Sequence, residues 1–86
     1  MRLDKFLKLT RLIKRRTVAK DISSAGKVIV DKRTVKPSYV VKIDDILELY
    51  LGAYIVVVKV KSIDEKEIRS NPEAGYELLS RNKNAN

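Results

Sequence analysis

Arg16 to Val30 reads RTVAKDISSAGKVIV, and a change of texture inside this stretch decides the fold. Before Gly26, the residues Val18, Ile22 and Ala25 recur at helical spacing, and Arg16 and Lys20 stand four apart on one helical face. Gly26 is a natural residue to end a helix, because glycine enters the left-handed region without a Cβ penalty. After it, Lys27-Val28-Ile29-Val30 is a β-branched run of the kind that strands favour. The pattern predicts a helix that stops at Gly26 and a strand that starts directly behind it.

Working back toward the amino terminus, residues 2–25 contain no Gly and no Pro, so helix is permitted throughout. Leu3 and Leu7 lie four apart with Phe6 beside them and form one apolar face. Arg2, Lys5 and Lys8 fall on the other side. Leu9, Leu12 and Ile13 then crowd together where a bend or a second packing surface would want them. Periodicity leaves open whether this is one long helix or two with a turn near Leu9–Ile13.

Working forward, Asp31-Lys32 reads as a turn and Arg33-Thr34-Val35 as a short returning strand. Pro37 and Ser38 mark a loop, and Tyr39-Val40-Val41 leads to a second turn at Asp44-Asp45. Ile46 to Leu51 is strand-like and Gly52 breaks it. Tyr54 to Val60 is the strongest strand signal in the chain. Ser62 to Ser70 reads as a polar connector. Asn71-Pro72-Glu73 has the form of a helix start, with Glu77, Leu78 and Leu79 continuing it. Arg81 to Asn86 is expected to fray. The expected fold class is α+β: helical segments on one side of a small antiparallel sheet, with a short C-terminal helix. The expected division is an RNA-binding domain over 1–62 and a connector with the C-terminal helix over 63–86.

Charge is distributed unevenly. Residues 1–36 hold twelve Lys/Arg against three Asp/Glu, whereas residues 37–86 hold seven against eight. Within Arg11 to Lys20 five cations face no anion. This asymmetry points to a polyanion-binding face. A hydrophobic fraction of 44% is too high for a wholly disordered chain. The absence of Cys and His removes disulfides, thiolate nucleophiles and the usual zinc-ligand sets. The opening MRLDKFLK lacks the apolar core of a secretory signal, and the longest apolar run, Ala53 to Val58, is far short of a membrane span. A cytoplasmic protein without membrane contact is expected.

Phosphate recognition needs long cationic side chains held on a rigid surface. Arginine supplies a planar fork and lysine a point charge. The candidate RNA-binding residues are Arg2, Lys8, Arg11, Arg15, Arg16 and Lys20. A solvated charged helix face is the plain alternative for such a cluster. Thr17 is read as padding a helix turn, and Asp4 and Asp21 as partners that orient nearby cations. Asp44-Asp45 is read as a turn, and the tyrosines as core packing. No Gly-rich phosphate loop, Ser/His/Asp set or catalytic carboxylate pair appears, so no enzyme activity, cofactor or metal is expected.

Arg2-Leu3-Asp4-Lys5-Phe6-Leu7, then Arg16-Thr17-Val18-Ala19-Lys20, then Ile22, Gly26 and Lys27-Val28-Ile29-Val30 together resemble the alpha-L RNA-binding motif of the ribosomal-protein S-four domain superfamily. The resemblance covers about residues 1–60. It implies two N-terminal helices packed on a small bent antiparallel sheet, with Arg2, Arg16 and Lys20 at RNA-facing positions and Lys8, Arg11 and Arg15 nearby. Two turns depart from the family pattern: Asp31-Lys32 stands where Asn-Gly is common, and Ile43-Asp44-Asp45 where Pro-Gly-Asp is common.

As a stand-alone domain, the chain looks most like the ribosome-associated quality-control members of this superfamily, relatives of the ribosome-associated heat-shock class. That resemblance implies binding of a monomer to rRNA of the obstructed large ribosomal subunit and to P-site tRNA, in support of a partner factor that adds alanine tails to stalled chains. Rival expectations are a large-subunit rescue or assembly factor with no role in tailing, a protein–protein adaptor using an apolar strand edge, a duplex DNA binder, and an enzyme subunit.

Overall fold

The computed structural model describes residues 1–83. In chain order it comprises α1 (Leu3–Leu9), α2 (Arg16–Ser24), β1 (Val28–Val30), β2 (Arg33–Thr34), β3 (Ile46–Leu51), β4 (Tyr54–Val60), α3 (Glu65–Ser70), a 3-10 turn (Pro72–Gly75) and β5 (Tyr76–Lys83). The strands form one antiparallel sheet in the order β2-β1-β3-β4-β5. The class is α+β.

The N-terminal helices are two, not one. Thr10 ends α1, with its hydroxyl donating to the Phe6 carbonyl at 2.8 Å. Arg11 follows at φ 60, in the left-handed region, and its N–H donates to the Lys8 carbonyl at 3.0 Å. That one residue turns the chain out of α1. At the other end α1 has no side-chain cap; the Leu3 and Asp4 N–H groups donate to the Tyr39 and Pro37 carbonyls at 2.8 and 3.2 Å. The loop after β2 thus satisfies donors that the helix itself leaves open. Helix α2 closes as the glycine pattern predicts. Gly26 has φ 75, its N–H reaches the Ser23 carbonyl at 3.1 Å, and the Lys27 N–H reaches the Ile22 carbonyl at 3.0 Å, a Schellman motif.

The buried face of α2 differs from the one its apolar spacing predicts. Ala19 and Ser23 are buried, Ile22 is half-buried and Val18 is exposed. Small side chains four apart allow α2 to lie close on α1, and the Ser23 hydroxyl is satisfied by the Ala19 carbonyl at 2.8 Å. The core joins Leu3, Phe6 and Leu7 of α1 to Val28, Leu47, Leu49, Val58 and Val60 of the sheet and Ile68 of α3, none of them measurably exposed. Each such side chain stabilises the fold by roughly 1.5–3 kcal/mol relative to exposure.

Both unusual turns keep the geometry that glycine would favour. Asp31 and Lys32 have φ 51 and 64, the two positive values of a type I′ hairpin turn between the paired Val30 and Arg33. Across Lys42–Asp45 the Asp45 N–H donates to the Lys42 carbonyl at 3.1 Å, and Asp44 takes φ 74 at the third position, as a type II turn requires.

The C-terminal region is redistributed relative to expectation. The short helix is present, but it is α3, inside the stretch read as a connector. Asp64 caps it, accepting from the Lys66 and Glu67 N–H groups at 3.0 and 3.4 Å. Asn71-Pro72-Glu73 opens only the 3-10 turn. Tyr76-Glu77-Leu78-Leu79 does not continue it as helix; it belongs to β5, which pairs along the free edge of β4 with a bulge opposite Val57/Val58. Of the tail expected to fray, Arg81, Asn82 and Lys83 are strand, and residues 84–86 lie outside the described residues.

Candidate nucleic-acid interface

The basic surface is organised around one buried carboxylate. Asp4 sits in the first turn of α1 and is 2% exposed. Its Oδ1 accepts from the Lys5 N–H at 2.8 Å and from Arg2 Nε at 3.2 Å, and its Oδ2 accepts from Arg2 Nη2 at 3.2 Å. Arg16 Nη2, from the first turn of α2, lies 3.5 Å from the same Oδ1. The two arginine side chains remain 50% and 48% exposed. Asp4 therefore fixes two guanidinium groups from different segments while leaving their outer edges free. Arg2, Asp4, Arg16, Thr17 and Lys20 line one shallow hollow at the start of α2. Three cations against one anion make it positive, and Thr17 adds a hydroxyl that makes no hydrogen bond among the described residues. The orienting role expected of both Asp4 and Asp21 falls to Asp4; Asp21 forms no ion pair among the described residues.

A second basic hollow lies beyond the α1 terminus, lined by Lys8, Leu9, Arg11, Lys14, Arg69 and Pro72. Arg69 reaches it from α3, which is tied to α1 through Glu65. The Lys5 ammonium pairs with Glu65, and Arg69 Nη2 lies 3.5 Å from the same carboxylate oxygen. The hydrogen bond from Lys5 is the main reason the Glu65 carboxyl is held below the usual carboxylate range.

The six expected residues thus divide into two hollows. Arg2, Arg16 and Lys20 share the first, Lys8 and Arg11 share the second, and Arg15 lines neither, standing exposed at the cap of α2. Lys14 and Arg69 complete the second. Lys14 belongs to the basic run that frames the motif. Arg69 was findable only by recognising α3, whose Asp64-x-x-Glu67 cap and Glu65–Arg69 spacing are readable signals. No group of three or more His, Cys, Asp or Glu is placed to hold a metal among the described residues. Of the tyrosines, Tyr39 and Tyr76 pack partly buried on the core, Tyr50 is half-buried, and Tyr54 is exposed.

The S4 domain matches residues 1–47, which contain α1, α2 and the Asp4-centred arginine pair. The chain belongs to the S4 domain family. Within this family of S4 domain proteins it is 42% identical over 79 residues to the RQC P-site tRNA stabilizing factor of Listeria innocua, covering 92% of this chain and 86% of that one. Its identity to the protein of the same name from Bacillus subtilis is 37% over 83 residues, covering 96% of each. The solved structure of trimeric Heat Shock Protein 15 from Vibrio cholerae superposes with a TM-score of 0.82 at 26% identity, covering 93% of this S4 domain chain and 82% of that one.

Proposed function

We propose that the protein is a non-catalytic, cytoplasmic RNA-binding factor that docks as a monomer on the obstructed large ribosomal subunit and steadies P-site tRNA during ribosome-associated quality control. Arg2, Lys8, Arg11, Arg15, Arg16 and Lys20 contact rRNA and tRNA backbones, and residues 1–62 form the RNA-binding part. The single observation that carries this reading is the Arg2–Asp4–Arg16 arrangement. Two half-exposed guanidinium forks, pre-aligned on a buried carboxylate, suit phosphate oxygens and lose little freedom on binding them. The names of the relatives support the choice of RNA and of ribosomal state. Recognition is through backbone and shape rather than base edges. Holding tRNA in one position is a population shift set by the factor's preference for that state. In this reading the steadied tRNA supports a partner factor that extends the stalled chain with alanine.

Cosedimentation with large subunits over a salt series tests it. The log–log slope flattens by roughly 0.7 to 0.9 for each phosphate contact removed. Arg2→Ala and Arg16→Ala weaken association while thermal unfolding changes little. Unfolding by either variant, or salt-independent association, refutes the reading. The likeness to Heat Shock Protein 15 favours a second reading, a large-subunit rescue or assembly factor. Loss of alanine tails on gene deletion selects the first reading, and unchanged tails select the second.

A further inference from the structure

The sheet face that carries the core continues past the helices at its β4–β5 corner. Val56 pairs with Arg81 and Tyr54 with Lys83, so this corner lies on the side of β4 that buries Val56, Val58 and Val60. Here the cover is incomplete. Tyr54 and Leu78 are 41% and 54% exposed, and together with Arg11, Leu12, Tyr76 and Arg81 they line an open hollow. The Arg81 guanidinium is held over the Tyr54 ring, 4.4 Å from its centroid. Neither Arg11 nor Arg81 forms an ion pair among the described residues. Arg11 also lines the basic hollow with Lys8, Lys14 and Arg69, so the two depressions share a wall. Arg11 holds that shared position from a left-handed backbone conformation that glycine would adopt without strain.

We propose that this hollow seats one unpaired nucleotide of the bound RNA, its base stacked on the Tyr54–Arg81 platform above the Leu12 and Leu78 side chains and its phosphate between Arg11 and Arg81. The proposal rests on RNA being the ligand of the basic face. A π-system capped by a guanidinium matches a base, since unstacked bases rest on aromatic rings and arginine planes alike. Two unpaired guanidinium groups at the rim match the phosphate that every nucleotide brings. An apolar peptide leaves both arginines without partners, and a free anion leaves the apolar floor unused. Continuity through Arg11 supplies the path: RNA lying on Lys8 and Lys14 reaches the hollow within one nucleotide's turn.

The probe is a short RNA hairpin carrying a single bulged 2-aminopurine nucleotide, compared with the same hairpin without the bulge. The protein has no tryptophan, so the probe's emission is read without interference. Wild-type protein is expected to bind the bulged hairpin roughly 5- to 100-fold more tightly, the worth of one stacked base, and to quench its emission. Tyr54→Leu, which keeps the bulk of an exposed position, removes both the preference and the quenching and leaves affinity for the unbulged hairpin within about twofold. Arg81→Gln likewise loses the quenching. Equal affinity of the wild type for both hairpins overturns the nucleotide seat while leaving RNA binding in place. Equal weakening of both hairpins by Tyr54→Leu overturns it as well. Failure to bind either hairpin at any salt removes the RNA reading itself, and this proposal with it.

Discussion

Gly75 lies so close to Thr10 that a Cβ on the glycine would stand 2.7 Å from the Thr10 Cγ2 and 3.3 Å from the Ile68 Cγ1. The contact joins the 3-10 turn before β5 to the residue that terminates α1. Neither side has room to move. The Thr10 side chain is fixed by its hydrogen bond to the Phe6 carbonyl, and the Gly75 carbonyl accepts from the Lys61 N–H at 2.9 Å. Glycine is there for close approach, which explains why a residue unfavourable to helix stands in a segment that begins like one.

Gly75→Ala is expected to destabilise the protein by about 1–3 kcal/mol through overpacking. In a domain of this size each kcal/mol lowers Tm by roughly 4–8 °C. Thr10→Ser removes the opposing methyl and retains the hydroxyl, so the double variant recovers most of the loss. A double variant no better than Gly75→Ala alone shows that the strain lies elsewhere.

Asp4→Asn gives a result opposite to net-charge reasoning. The substitution raises the formal charge from +8, yet it deprives Arg2 and Arg16 of their shared anchor. Because both arginines are half-exposed, the stability loss is modest, about 1–2 kcal/mol. Binding to large subunits is expected to weaken, since the two forks lose their common alignment. Tighter binding by Asp4→Asn, measured at fixed salt, means that Asp4 opposes RNA and does not organise the arginines.

What the sequence made legible is the part fixed locally. Gly26 marks the end of α2 because a Schellman motif needs a left-handed residue, and the β-branched runs at Val28 and Tyr54 become strands. The basic motif is readable for the same reason: Arg16 and Lys20 sit one turn apart on the helix they are predicted to occupy. What was not legible depends on distant partners. Tyr76–Lys83 has no strong alternation and follows a helix-like Asn-Pro-Glu; it is strand because β4 would otherwise leave its hydrogen-bonding edge open. The helix break was equally hidden, since its agent is Arg11, a residue type seldom found in the left-handed region. The division of the cations into two hollows follows from that break and from α3, which brings Arg69 from far along the chain.

Arg11→Gly separates folding from binding. Glycine relieves the left-handed strain at φ 60, so stability is expected to rise by up to about 1 kcal/mol. The lost cation weakens RNA binding and flattens its salt slope by roughly one contact. Opposite signs in the two measurements mark Arg11 as kept for its side chain. A fall in both shows instead that its side chain supports the fold.

Lys32→Gly and Asp44→Gly test the two turns. Each places glycine at an observed positive φ, 64 and 74, outside both basic hollows. Each is expected to stabilise by about 0.4–1 kcal/mol, less a few tenths at Asp44 for its exposed contact with Lys59. The hairpin variant is also expected to leave ribosome association unchanged. A loss of stability at either position means that the turn is not held in this conformation in solution.

Tyr39 gives the fold an alkaline limit. Its hydroxyl donates to Asp45 Oδ2 at 2.7 Å, and the same oxygen accepts from the Lys42 N–H at 3.0 Å. Burial, followed by the hydrogen bond and the charge of Asp45, pushes the phenol from 10.0 up to about 12. Between those values the folded chain keeps a proton that the unfolded chain releases, so stability is intact below about pH 10 and falls as pH rises toward 12. The consequence reaches the basic face, because the Tyr39 carbonyl caps the start of α1 beside Asp4. Tyr39→Phe is expected to cost about 1 kcal/mol at neutral pH and to lose this share of the alkaline slope. Lysines titrate in the same range, so the readout is the difference between wild-type and variant Tm across pH. That gap should narrow as pH rises from 10 to 12; a gap that stays constant means that the tyrosine proton is not shared with Asp45.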